Sequence, residues 1–156
     1  MDVKYINPFM QSFINVMPQI GFTNVKKEGI SMKDKNIESK GIAINVGIVG
    51  DIRGNIVYVM DEESGKKIAS KMMMGFPVEE LNEMAQSAIS ELTNMLTANA
   101  STNFFNEGIN INISTPTLIY GEEIQIKMNS NQVLCIQLSA DDIPIEIDIA
   151  FDNISL

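Results

Sequence analysis

The chain has 156 residues, 45% of them hydrophobic, with a formal net charge of −9 and no histidine. That length allows one folded domain, residues 1–156, with a core that needs neither disulfide nor metal. The acidic balance excludes a binder of nucleic-acid phosphate, and the missing histidines remove Ser/His and Cys/His nucleophiles and most zinc sites.

Residues 5–18 predict a first helix, with Asn7 as N-cap and Pro8 at its first position. Phe9, Phe13 and Val16 with Met10, Ile14 and Met17 form its apolar face, and Pro18 and Gly21 stop it. Residues 23–49 are β-like, and in GIAINVGIVG the residues Ile42, Ile44, Val46 and Ile48 share one side of a strand. GDIRGN (Gly50 to Asn55) turns the chain into IVYVM, so the pair is a hairpin. Within that turn Asp51 reads as a turn acid rather than a metal ligand. The segment lacks the Lys-Ser/Thr end of a phosphate loop and precedes a strand.

Asp61 caps a helix over about 62–74, ended by Gly75. Pro77 then opens a long helix, with Glu79 and Glu80 in its first turn. This helix runs to about Phe105 and is closed by Gly108. Five short β segments follow: INIST, TPTLIYG, EIQIKM, VLCIQL and PIEIDIAF. Pro116 reads as a loop proline leading into an edge strand. Cys135 sits alone in VLCIQL and reads as a reduced core residue, and Met72, Met73, Met74, Met84 and Met95 read as core filler. The fold class is α+β, a mostly antiparallel sheet of about six strands with helices on one side. Each half contains a helix followed by a strand meander, which hints at internal pseudo-symmetry.

No apolar run reaches about 18 residues, so no transmembrane helix is expected. The start, MDVKYINPFMQSF, has neither the basic segment nor the apolar block of a signal peptide. The expected location is cytoplasmic, with no membrane partner.

The stretch SAISELTN, Ser87 to Asn94, lies inside the long helix. Residues three and four apart share a face, so Ser87, Glu91 and Asn94 fall within a narrow arc. Leu81, Met84, Ala85, Ala88, Leu92, Met95 and Leu96 occupy a different arc that anchors the helix. Asn94 can donate and accept hydrogen bonds at once, which positioning an attacking water requires. Glu91 can pair with a lysine of a partner, and small Ala98 keeps the neighbouring surface low. The face has no nucleophile, no base near neutrality and no metal cluster, so a partner must complete any reaction there.

Together these segments resemble the CheC/CheX/FliY family of chemotaxis phosphatases. The resemblance rests on NPF in helix one, VGIVGDIRGNIVYVM, the Ser-x-x-x-Glu-x-x-Asn helix and TPTLIYGEE with Pro116. It covers roughly residues 5–152, with Pro116 at 21 intervening residues from Asn94, close to the family spacing. CheC-type members carry the Glu/Asn motif twice. Here the first helix offers Asn15 but has Ser12 where the glutamate would stand, so the chain is similar to the CheX type, with a CheC-like fold.

The resemblance implies a protein phosphatase that dephosphorylates the aspartyl phosphate of a phosphorylated CheY-like response regulator. It implies that Glu91 docks on the regulator's active-site lysine and that Asn94 orients the attacking water. Ser87 and Ala98 join Glu91 in the partner-binding surface. The resemblance also implies that the chain needs no cofactor or metal of its own, with Mg²⁺ held in the regulator, and that it is a homodimer. The alternative is a non-catalytic adaptor that docks a response regulator or a flagellar switch component.

Overall fold

The computed structural model describes residues 3–152. Helix α1 (Val3–Val16) runs into a short 3-10 turn at Met17–Ile20. Strands β1 (Val25–Lys33), β2 (Asn36–Gly50) and β3 (Gly54–Met60) follow, then helices α2 (Glu62–Met72) and α3 (Glu83–Asn106). Strands β4 (Ile111–Ile113), β5 (Thr117–Lys127), β6 (Val133–Ala140) and β7 (Ile143–Phe151) end the described chain.

The seven strands form one sheet in the order β1-β6-β7-β3-β2-β4, with β5 also paired to β2. All of its pairings are antiparallel. The sheet has seven strands: residues 23–49 contain two, and TPTLIYG joins EIQIKM in β5. With β4 set aside, exchanging β1 with β5, β2 with β6 and β3 with β7 reverses the path β1-β6-β7-β3-β2-β5 and leaves its pairings unchanged. The expected pseudo-symmetry is therefore a property of the sheet, and its axis runs between β3 and β7.

One face of the sheet carries the helices. Ile42, Ile44, Val46 and Ile48 from β2 pack there with Ile147 and Ile149 from β7 and with Phe9, Phe13, Leu92 and Phe104 from the helices. Alternation along the strands puts Ala43, Val57, Val133 and Ala150 on the other face. These join Ile37, Ile124 and Met128 in a smaller cluster built from strands and the residue after β5.

Turns fix the connections. Asp61 caps α2 by accepting from the Ser64 N–H at 2.7 Å, and Gly75 beyond its end has a positive φ of 90°. Asp141 and Asp142, at φ of 48° and 65°, form a tight two-residue connection from β6 to β7. Asp141 also accepts hydrogen bonds from the N–H groups of Thr23 and Asn24, tying the start of β1 to that hairpin. Asp51 acts as the turn acid expected: its carboxylate accepts from the Asn110 N–H at 2.7 Å, and its own N–H donates to the Asn110 carbonyl.

Three expectations are corrected. Asn7 does not cap the first helix, which already includes Val3, so Pro8 lies inside it. Burial of Ile6 and the contact of Tyr5 with Phe151, at 5.7 Å between ring centroids, draw the upstream turn into the helix. Pro77 does not open the long helix, which starts at Glu83 with Asn82 as cap, leaving Glu79 and Glu80 outside it. Met74 and Met84 are not core filler, being 93% and 66% exposed. Cys135 is a buried free thiol, as expected. No helix among the described residues is long and apolar enough to cross a membrane.

Candidate functional site

The site is built on α3. Asn82 starts the helix by accepting from the Ala85 N–H at 2.9 Å. Ala85, Ile89, Leu92, Leu96, Ala100 and Phe104 recur every three or four residues and are all buried. Thr93 and Thr97 are buried too, and the Thr97 hydroxyl donates to the Thr93 carbonyl at 2.6 Å. With that much of its circumference fixed, α3 has one rotational setting. The outward face carries Ser87, Glu91 and Ala98, all exposed, and half-buried Asn94.

An open groove of about 700 Å³ runs along this face. Glu83, Gln86, Ser87, Ser90, Glu91 and Asn94 line one wall, and Ile113, Ser114, Thr115, Pro116 and Leu118 line the other. The second wall comes from the edge of the sheet. β4 and β5 lie end to end along β2, with Ile113 opposite Ile48 and Thr117 opposite Asn45. Four steps on the edge therefore run against three on β2, and the extra residue makes a bulge at Ser114–Pro116. Ser114 pins it: its hydroxyl accepts from the Gly47 N–H at 2.8 Å, and its own N–H donates to the Gly47 carbonyl at 2.9 Å. Pro116 donates no backbone hydrogen bond, which suits a bulged edge.

The structure thus brings Ser87, Glu91 and Asn94 together with Pro116 across one groove. Ala98 sits on the same exposed face, one turn beyond Asn94, outside the groove lining. Among the described residues no side-chain hydrogen bond or ion pair engages Glu91 or Asn94. Both groups remain available to an incoming molecule.

Sequence reasoning missed Gln86, Ser90, Ser114 and Thr115 in the lining. Gln86 and Ser90 are neighbours of the motif at helical spacing. Ser114 and Thr115 enter the lining because the bulge at Pro116 carries its neighbours with it, which no sequence spacing signals.

A model of the chemotaxis phosphatase CheX family matches residues 42–139, from the middle of β2 through most of β6. The chain belongs to the CheX family. Along 82 residues it is 35% identical to the CheY-P phosphatase CheX of Thermotoga maritima, covering 53% of each chain. The chain spans about half the length of the curated relatives it matches. Its fold is similar to a CheC-like superfamily protein from Shewanella sp. PV-4, with TM-score 0.85 and 26% identity over 98% of this chain and 100% of that one. It is also similar to a chain in the CheX–CheY–BeF3–Mg²⁺ complex from Borrelia burgdorferi, with TM-score 0.81, 25% identity and coverage of 96% and 99%.

The CheX family match takes in both walls of the groove and leaves out α1. In α1, Asn15 receives a hydrogen bond from Gln11 at 3.0 Å and its amide donates to Asn99 at 3.4 Å. Ser12, at the position a second glutamate would take, is buried and donates to the Leu96 carbonyl of α3. The α1 face has no counterpart of Glu91.

Proposed function

We propose that this CheX-family chain is a phosphatase for the aspartyl phosphate of a CheY-like response regulator. The observation that carries this reading is the pair of unengaged groups, Glu91 and Asn94, one helical turn apart on the wall of an open groove. The name of the Thermotoga relative and the Borrelia complex support the choice of partner.

In this reading Glu91 meets the lysine of the regulator's active site, and Asn94 enters beside the phosphoryl group. The Asn94 carbonyl accepts a hydrogen from water and its amide donates, holding the water in line with the bond to be broken. Water oxygen attacks phosphorus, the bond from phosphorus to the aspartyl oxygen breaks, and inorganic phosphate leaves with the carboxylate restored. The acyl phosphate and its Mg²⁺ belong to the regulator, and this chain contributes position and hydrogen bonds. The same reading makes residues 1–156 a single cytoplasmic domain. It also carries a homodimer, supported by the sheet edges at β1 and β5, which pair with no further strand among the described residues.

The test measures phosphate loss from a labelled regulator with and without the chain. Asn94→Ala is expected to lose turnover and keep binding, and Glu91→Ala to lose both. Unchanged turnover in the two variants sinks this site. Binding without acceleration by the wild-type chain supports the adaptor reading in its place.

A further inference from the structure

On the sheet face away from the helices, Cys135 of β6 stands in register with Asp148 of β7. Glu146 lies two residues before Asp148 and so projects from the same face. The Cys135 Sγ and one carboxylate oxygen from each acid all lie within 4.8 Å of one another. The Asp148 side chain is 0% exposed, and neither of its oxygens has a hydrogen-bond partner. Lys33, the last residue of β1, reaches Glu146 Oε2 at 2.8 Å but stops 4.0 Å from Asp148 Oδ1. A buried carboxylate with no donor is costly and calls for a proton or a cation.

We propose that Cys135, Glu146 and Asp148 form a binding site for a divalent cation of the zinc class, with the Lys33 ammonium holding the place of the ion when it is empty. The donor set selects the metal. One thiolate with two carboxylates suits zinc or cadmium, whereas magnesium and calcium favour all-oxygen shells. Tetrahedral bonds of about 2.3 Å to sulfur and about 2.1 Å to oxygen place ligand atoms roughly 3.6 Å apart. The present separations, all within 4.8 Å, are of the same order. The entry path is the edge at Lys33 and Glu146, whose side chains are 37% and 20% exposed.

The experiment titrates the full chain, reduced and chelator-free, with Cd²⁺ alone and follows the ultraviolet charge-transfer band of a cadmium thiolate. The expected result is a saturable one-to-one band that Zn²⁺ displaces, with a melting midpoint that Zn²⁺ raises. Cys135→Ser removes the band, Asp148→Asn weakens binding by about tenfold or more, and Lys33→Ala tightens it. Absence of the band from folded wild-type chain in excess Cd²⁺ overturns the proposal. So does equal Cd²⁺ affinity in Asp148→Asn and wild type, a comparison that stands even where Cys135→Ser does not fold.

Discussion

The hydroxyl of Tyr58 on β3 meets the hydroxyl of Thr97 on α3 at 2.8 Å in the interior, one turn beyond Asn94. Thr97 spends its own hydrogen on the Thr93 carbonyl, so Tyr58 is the donor in this pair. Burial holds the Tyr58 hydroxyl protonated by raising its pKa. The bond fixes α3 against the sheet on the flank beside its groove. Thr97→Val strands the Tyr58 donor and is expected to cost about 1–3 kcal/mol, while Tyr58→Phe costs about 1 kcal/mol. Urea denaturation of the two variants and their combination should give a coupling of about 1 kcal/mol, with the double variant less damaged than the sum.

Ser114 anchors the groove wall without reaching into α3. Removing its hydroxyl in Ser114→Ala frees the Gly47 N–H and loosens the bulge that carries Pro116. Exposure limits the stability loss to about 1 kcal/mol. The phosphatase reading predicts a larger effect on turnover, up to about tenfold, because positioning is sensitive to small displacements. Steady-state assays beside a thermal melt separate the two, and equal turnover rules out a role for the bulge in orienting the site.

Two glycines should respond in opposite ways. A Cβ at Gly54 would sit 1.9 Å from the Ala150 carbonyl oxygen, a backbone atom that cannot move aside without breaking the β3–β7 pairing. Gly54→Ala is expected to destabilise by at least about 3 kcal/mol or to prevent folding. Gly121 has nothing within 4 Å of the same point, so Gly121→Ala should be neutral or stabilise by about 0.5 kcal/mol. Soluble yield and denaturation midpoints check both.

Asp148 gives the stability an unusual pH dependence. An unfolded aspartate releases its proton near about 3.9. Burial and then the Glu146 carboxylate keep the folded one protonated up to about 8. Between those values the native state holds a proton that the unfolded chain has lost, so stability falls as pH rises and levels off above the folded pKa. Glu146 works the other way: burial opposes its charge, yet the neighbouring Asp148 carboxyl and the hydrogen bond from Lys33 lower its pKa. Its contribution is present above the unfolded value and lost in acid. From about pH 5 to about pH 8 the Asp148 sign governs, and Asp148→Asn should flatten that slope in urea midpoints.

Segment ends governed by local backbone geometry were readable in the sequence. Gly75 and Gly108 do adopt positive φ just past their helices, and Asp61 caps α2 as its position suggested. Where tertiary packing decides, local signals misled. Pro77 carried the pattern of a helix start, but Asn82 has the side chain that caps α3. The acid and amide of the site were legible because helical spacing alone puts Glu91 and Asn94 on one face. The opposite wall depended on a one-residue bulge between β4 and β5, which no periodicity encodes. The Cys135, Glu146 and Asp148 cluster depended on strand register in the same way.

The burial of Ser12 constrains what α1 can carry. A glutamate there would be driven between α1 and α3, against the Leu96 carbonyl that the serine now binds. Building a twin of the Glu91 and Asn94 pair on α1 therefore takes more than one substitution. The helix would have to rotate about its axis, and Phe9 and Phe13 would have to leave the core with it. The packing of the two helices thus reserves α1 for the core and leaves the outward pair to α3.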